Sequence, residues 1–274
     1  MRPIPLRHRP RRSVRLQALM SEEPEKLAEG TLISHLLELR DRLIRALMGI
    51  GVAFLPCVFY SNDLFTLVAK PLIEKLPKGT HLIATSVMSP FMTPFKLSFF
   101  VAAFIAMPYT LYQAWAFVAP GLYRHEKRFA IPLLVSSILL FYTGVVFAYF
   151  FVFPVMFQFF ASATPTGVAM MTDITSYLDF VLVMFFAFGL AFEVPIAVVL
   201  LVITGIVRLE KLKENRGYVL IGIFIIAAFL TPPDVVSQCI MAIPMYLLYE
   251  GGLLMARILL RMRREGSDRE EAEA

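Results

Sequence analysis

The chain has little of what redox, metal or hydrolytic sites are made from. Its two cysteines, Cys57 and Cys239, lie in apolar segments without C-x-x-C spacing. Packing is their expected role, and thiol oxidation is disfavoured. The four histidines, His8, His35, His81 and His125, are scattered without ligand spacing, so no metal site is expected. No G-x-x-x-x-G-K-[ST] loop is present, which excludes nucleotide hydrolysis by the P-loop route. There is no G-x-S-x-G and no Ser/His pair inside the apolar runs, so neither an enzyme nor a cofactor is expected. Charge is also scarce, 17% against 58% hydrophobic residues, and no polar stretch is long enough for a separate soluble core. The net charge of +5 sits at the ends of apolar runs. That placement speaks for membrane topology, not for nucleic acid.

The longest apolar run organises the rest. Residues 180–207 (FVLVMFFAFGLAFEVPIAVVLLVITGIV) are apolar all round and contain one charged side chain, Glu193. As a helix they would reach ~42 Å at ~1.5 Å per residue, more than a ~30 Å hydrocarbon core requires. A helix without a polar face has lipid or other helices as its solvent. A carboxyl group at mid-depth is costly when charged and alone, so Glu193 is expected to be neutral or hydrogen-bonded. Pro195 removes a helical hydrogen bond beside it and weakens the helix there. Two roles stay open for Glu193: a bond inside its own bundle, or contact with a partner helix.

The remaining chain reads as five more spans: residues 43–60, 95–115, 131–153, 218–231 and 235–256, of which 218–231, the fifth span of the chain, is only 14 residues long. Residues 1–30 lack periodicity and are expected to be a disordered extension. Arg11-Arg12 is followed by no apolar segment and so is no export signal, and Met20 is an alternative start. Residues 31–45 (TLISHLLELRDRLIR) form an amphipathic helix, with Glu38–Arg42 and Asp41–Arg45 at i,i+4 spacing. Arg40 falls on the leucine face, where headgroups or protein would meet it. Residues 61–94 form a long connection broken by prolines, expected as a surface cap. Residues 258–274 are a charged tail. Of the 26 Lys and Arg residues, 22 fall in residues 1–45, 116–130 and 207–217 and the tail. That bias places both termini and both basic turns in the cytoplasm.

Acids at defined depths are the remaining chemistry. Glu38 and Glu126 both lie at the inner membrane face, where carboxylates suit bidentate guanidinium binding. Local pairing competes: Glu38 with Arg42, and Glu126 with Arg124, Lys127 or Arg128. On residue physics alone the local pairs have the advantage.

The segments HLLELRDRL (35–43), SPFMTPFKLSF (89–99), LYQAWAFVAPGLYRHEKR (111–128), LLFYTGVVFAYFFVFP (139–154), FAFGLAFEVPIAVVLL (186–201) and LTPPDVVSQCIMAIPMYLLYE (230–250) resemble the TatC family. That family is the receptor subunit of the twin-arginine protein translocase. The resemblance implies an all-α, six-span, glove-shaped membrane protein with short fifth and sixth spans, set in the bacterial cytoplasmic membrane. It implies that Glu38 and Glu126 hold the arginine pair of a signal peptide. Arg40, Arg42, Phe117 and Arg124 would complete that site. Glu193, Gln238 and Tyr246 would contact the single-span helices of TatA and TatB. Pro71, Pro108 and Asp234 match structural and outer-loop positions. Other copies of the chain are further implied partners, and the proton motive force is the implied energy source. A proton-coupled transporter with Glu193 as relay is the alternative; against it, the chain shows no paired internal repeat with matching broken helices.

Overall fold

The computed structural model describes residues 12–73, 83–118, 127–165, 171–231 and 234–273, with side chains described at 33–70, 83–117, 131–165, 171–231 and 234–262. The described chain is helical, with one isolated bridge between Ile83 and Asp173. The helices are α1 (Arg12–Phe59), α2 (Ser61–Ile73), α3 (Ser89–Ile105), α4 (Met107–Val118), α5 (Lys127–Phe147), α6 (Phe153–Ala163), α7 (Ile174–Ala191), α8 (Val194–Ile203), α9 (Leu209–Glu214), α10 (Arg216–Leu230) and α11 (Val235–Glu273). Four stretches are long and apolar enough to cross a bilayer: Ile33–Phe59, Ile131–Ala163, Ile174–Ile203 and Val235–Met262. A fifth is the pair α3–α4, bent by 51°. The remaining apolar helix, α10, has 15 residues, ~22 Å, short of an unperturbed bilayer.

Several expected boundaries move. α1 begins at Arg12, so the backbone of residues 12–30, expected to be disordered, continues the helix; the segment is rich in Leu, Glu, Arg and Ala, all good helix formers. α11 likewise runs on to Glu273 through a tail of Arg, Glu and Ala. Its apolar part spans 28 residues, so of the last two spans only the fifth is short. The third span does not stop at Pro154. A π-helical turn, Ala148–Val152, widens the helix just before that proline, and α6 then carries it to Ala163. A wide turn absorbs the N–H that proline lacks and the bulk of its ring. The 61–94 connection contains α2 and the start of α3.

α7 is the centre of the bundle. Leu178, Val181, Met184 and Phe188 are fully buried, as are Phe141 of α5 and Phe153 of α6. Lipid tails give apolar side chains no reason to leave them, so close helix approach rests on small residues. A Cβ on Gly144 would lie 2.5 Å from the Phe188 carbonyl oxygen, and one on Gly189 would lie 2.5 Å from the Phe141 ring. Gly252 of α11 faces Pro195 of α8 nearly as closely, 2.8 Å from a Cβ to the proline Cα. α8 ends where Gly205 takes φ +70, a conformation open to glycine at no steric cost.

At the base-poor end, two connections are tied together. The Ile83 N–H donates to the Thr172 carbonyl at 3.0 Å, and the Ile174 N–H donates to the Ile83 carbonyl at 2.9 Å. Asp173 caps α7: one oxygen accepts the Ser176 N–H at 3.0 Å, the other the Thr85 hydroxyl at 2.8 Å and the Thr85 N–H at 3.2 Å. The Ser176 N–H and Thr85 hydroxyl hold its carboxyl well below the usual range, at about 2. Nearly two turns further in, Lys96 of α3 is ion-paired with Asp179 of α7.

Candidate functional site

Helix α1 carries the first candidate acid. The Arg42 guanidinium donates to Glu38 through Nε at 3.0 Å and Nη2 at 2.6 Å, and both bonds fall on Oε1. The i,i+4 pair expected from spacing is therefore formed. The other expected pair is not: Asp41 accepts from Arg40, at 3.1 and 2.9 Å, in place of Arg45. Arg40 is 64% exposed, and the leucines around it, Leu36, Leu39, Leu43 and Leu47, are exposed as well.

Helix α4 lies antiparallel along this segment. A Cβ on Gly49 would meet the Tyr109 ring at 2.7 Å. Two turns further along α4, the Phe117 ring stacks on His35, with centroids 4.1 Å apart and planes at 21°. Between them on the same stripe is Gln113, which is buried and whose Oε1 has no partner among the described residues. Phe117 thus sits beside the segment bearing Glu38. Glu126 and Arg124, expected at the same site, lie outside the described residues.

Pro108 stands at the bend between α3 and α4. It leaves the Phe104 carbonyl without the N–H of the next turn. The Tyr142 hydroxyl from α5 donates to that carbonyl at 2.8 Å. Pro71 lies in α2, and its side chain is outside the described set.

Glu193 occupies the junction of α7 and α8, where the expected weakening is realised as a break. The Glu193 N–H reaches back only three residues, to the Leu190 carbonyl, before α8 resumes with the Ala197 N–H on the Glu193 carbonyl. The Ser137 hydroxyl of α5 donates to Oε2, while Oε1 is buried with no partner among the described residues. Two apolar recesses approach the break. The larger, about 690 Å³, is bounded by Phe99 and Phe104 of α3, Phe186 and Leu190 of α7, Ile226 of α10 and Ile50 of α1. The smaller, about 410 Å³, lies between Leu140, Phe192, Pro195 and Pro244.

The other expected residues fall nearer α11. Asp234 caps that helix, accepting the Ser237 N–H at 2.7 Å, and Gln238 follows in its first turn, half-buried. Tyr246 donates to Glu250 at 3.0 Å, and Glu250 accepts from Arg216 of α10 at 2.8 Å. Tyr246 is therefore tied into its own chain. Three residues of these networks escaped the sequence reading: Gln113, Ser137 and Tyr142. The only signal available was a polar side chain inside an apolar span, which marks a bond without naming its partner.

Fold and site together define a polytopic helical membrane protein, its polar groups gathered at the two ends of the bundle and at one helix break. Comparison with known proteins narrows this. The family profile described as "Sec-independent protein translocase protein (TatC)" matches residues 34–244. The protein of that name from Azotobacter chroococcum mcd 1 is 52% identical over 250 residues, 91% of this chain and 98% of the relative. Those from Haemophilus influenzae and Escherichia coli K12 are 54% and 52% identical, over 82% and 88% of this chain and 88% and 92% of theirs. A crystal structure described as the twin arginine translocase receptor TatC superposes with a TM-score of 0.75 at 38% identity, covering 82% of this chain and 98% of that one. The chain belongs to the TatC family.

Proposed function

We propose that this chain receives twin-arginine signal peptides within a protein translocase of the bacterial cytoplasmic membrane, with both termini cytoplasmic and six spans in all. The observation that carries this reading is the Phe117–His35 stack. It brings the end of the α3–α4 span, nine residues before Glu126, to the turn of α1 that precedes Glu38. On this reading Glu38 and Glu126, distant in sequence, would hold one cationic doublet. Glu38 Oε2 accepts no bond among the described residues, and Arg42 on Oε1 holds the carboxylate in place. An incoming guanidinium would add to that pair, with Arg40 and Arg124 at its edge. Bidentate contact favours arginine over lysine.

Ile50, twelve residues beyond Glu38 on α1, already lines the larger recess, ~18 Å along the helix. The peptide's apolar segment would follow that path. The single-span helices of TatA and TatB would gather at Glu193, Gln238 and the short α10, with Tyr246 bordering them. Further copies of the chain would join the assembly. The proton motive force supplies the energy. Against the transporter alternative, Glu193 has a serine and no second ionisable group as its bonded partner among the described residues.

The test is capture of a twin-arginine peptide by the full chain in membranes, beside the same peptide with Lys-Lys. Glu38→Gln combined with Glu126→Gln should abolish the preference for Arg-Arg. Equal capture of both peptides by the unsubstituted chain would overturn the reading.

A further inference from the structure

Ser137 is 1% exposed, sits inside an apolar span, and is the one side chain bonded to Glu193 among the described residues. Its place is fixed by a stripe on α5. Ser137, Phe141 and Gly144, at i, i+4 and i+7, meet Glu193, Gly189 and Phe188 in reverse order, as two antiparallel helices require. Two of these three contacts leave no room for a single added carbon. From the other side, Gly252 of α11 is set against Pro195, two residues beyond the acid. The break is thus held between α5 and α11, and the Glu193 backbone has little freedom to shift.

The carboxyl is left half-satisfied within this frame. Oε2 accepts from Ser137, and Oε1 is buried without a partner among the described residues. A buried acceptor left empty is a standing cost, removed when a donor arrives. Both recesses end at the break: Ala191 and Val194 border the larger, Phe192 and Pro195 the smaller. An apolar helix seated in either would bring its own polar side chain to the depth of Glu193.

The geometry points to Ser137 as the positioning residue of the Glu193 site. Its hydroxyl fixes one carboxyl oxygen and so presents the other to a hydrogen-bond donor on an inserted single-span helix. This rests on the reading of Glu193 as a partner contact. Without the hydroxyl, the carboxyl can turn about its terminal torsions, and both oxygens compete for one incoming donor.

The experiment uses the full chain co-expressed with its single-span partner subunits. Partner capture in mild detergent is measured, together with the carboxyl infrared bands of Glu193, identified by their loss in Glu193→Gln. Ser137→Ala should shift those bands and lower capture ~3- to 10-fold, the scale of one interhelical hydrogen bond in a membrane. Ser137→Thr, which keeps the hydroxyl, should restore both; failure to do so would make the serine a packing residue and overturn the proposal. Unchanged bands or unchanged capture in Ser137→Ala, with capture lost in Glu193→Ala, would also overturn it. Capture retained in Glu193→Ala would instead remove the underlying reading of Glu193, and the role of Ser137 with it.

Discussion

His35 and Phe117, 82 residues apart in the chain, stack ring on ring with centroids 4.1 Å apart. This is the contact that holds the end of α4 against the segment of α1 bearing Glu38. An aromatic pair is worth ~0.5–1.5 kcal/mol beyond the area it buries. Phe117→Ala should therefore weaken capture of a twin-arginine peptide by ~3- to 10-fold, while Phe117→Tyr stays near wild type. Peptide titration in detergent measures both. Unaltered affinity in Phe117→Ala would remove the stack from the account of the site.

The bend in the α3–α4 span makes a second, independent prediction. Pro108 strips the Phe104 carbonyl of its helical donor, and Tyr142 replaces it from α5. Tyr142→Phe should destabilise the fold by ~0.6 kcal/mol, the average for interhelical hydrogen bonds in membranes, and by no more than ~1.7 kcal/mol. Pro108→Ala returns an N–H to the helix, so Tyr142→Phe should cost less in that background. A double-mutant cycle on thermal unfolding tests this. Strict additivity would show that Tyr142 is not filling the gap left by the proline.

How far the sequence reached depended on whether a feature was local. The Glu38–Arg42 pair follows from i,i+4 spacing, and the break at Glu193 follows from the proline two residues later; both are present. The α10 helix is as short as its apolar run. The third span runs past Pro154, where proline would end a helix in water, because a π turn before it lets the helix continue among its neighbours. Arg40 bonds adjacent Asp41, which stands in place of the Asp41–Arg45 pair that i,i+4 spacing suggests. Ser137 with Glu193, Tyr142 with Phe104 and His35 with Phe117 are contacts between helices. No periodicity within one helix could name such partners. His35 lacks metal-ligand spacing, and its role lies in the ring that stacks on Phe117.

The α5–α7 crossing should tolerate almost no added volume. A Cβ on Gly144 would stand 2.5 Å from the backbone oxygen of Phe188, which cannot swing aside. At Gly189 the obstacle is the Phe141 ring, itself fully buried and without space to retreat. Gly144→Ala and Gly189→Ala should each cost ~1–3 kcal/mol through overpacking. Gly51→Ala is the control: nothing lies within 4 Å of its Cβ position in α1. There the better helix propensity of alanine should be neutral or stabilising. Thermal unfolding in one detergent ranks the three. Equal midpoints would show that the helices are not in this contact.

Asp173 gives the fold a pH dependence of defined sign. Its carboxyl is lowered to about 2 by the Ser176 N–H and the Thr85 hydroxyl, against an ordinary aspartate value near ~3.9. A group with a depressed folded-state value binds protons more readily when unfolded. Its contribution is therefore complete above the ordinary value and is lost as pH falls toward 2. Protonation would also take the acceptor from Thr85, releasing the tie between the 83–88 and 171–176 segments. Cysteine placed at Val87, which is fully exposed, is a control for access, and cysteine at Thr172, beside the tie, reports its opening. Labelling at Thr172 should accelerate between pH 4 and pH 2 in the otherwise wild-type chain, with a reagent whose reactivity is flat over that range. In Asp173→Asn it should be fast throughout and independent of pH. A flat profile with aspartate in place would mean that the carboxyl does not fasten these two connections.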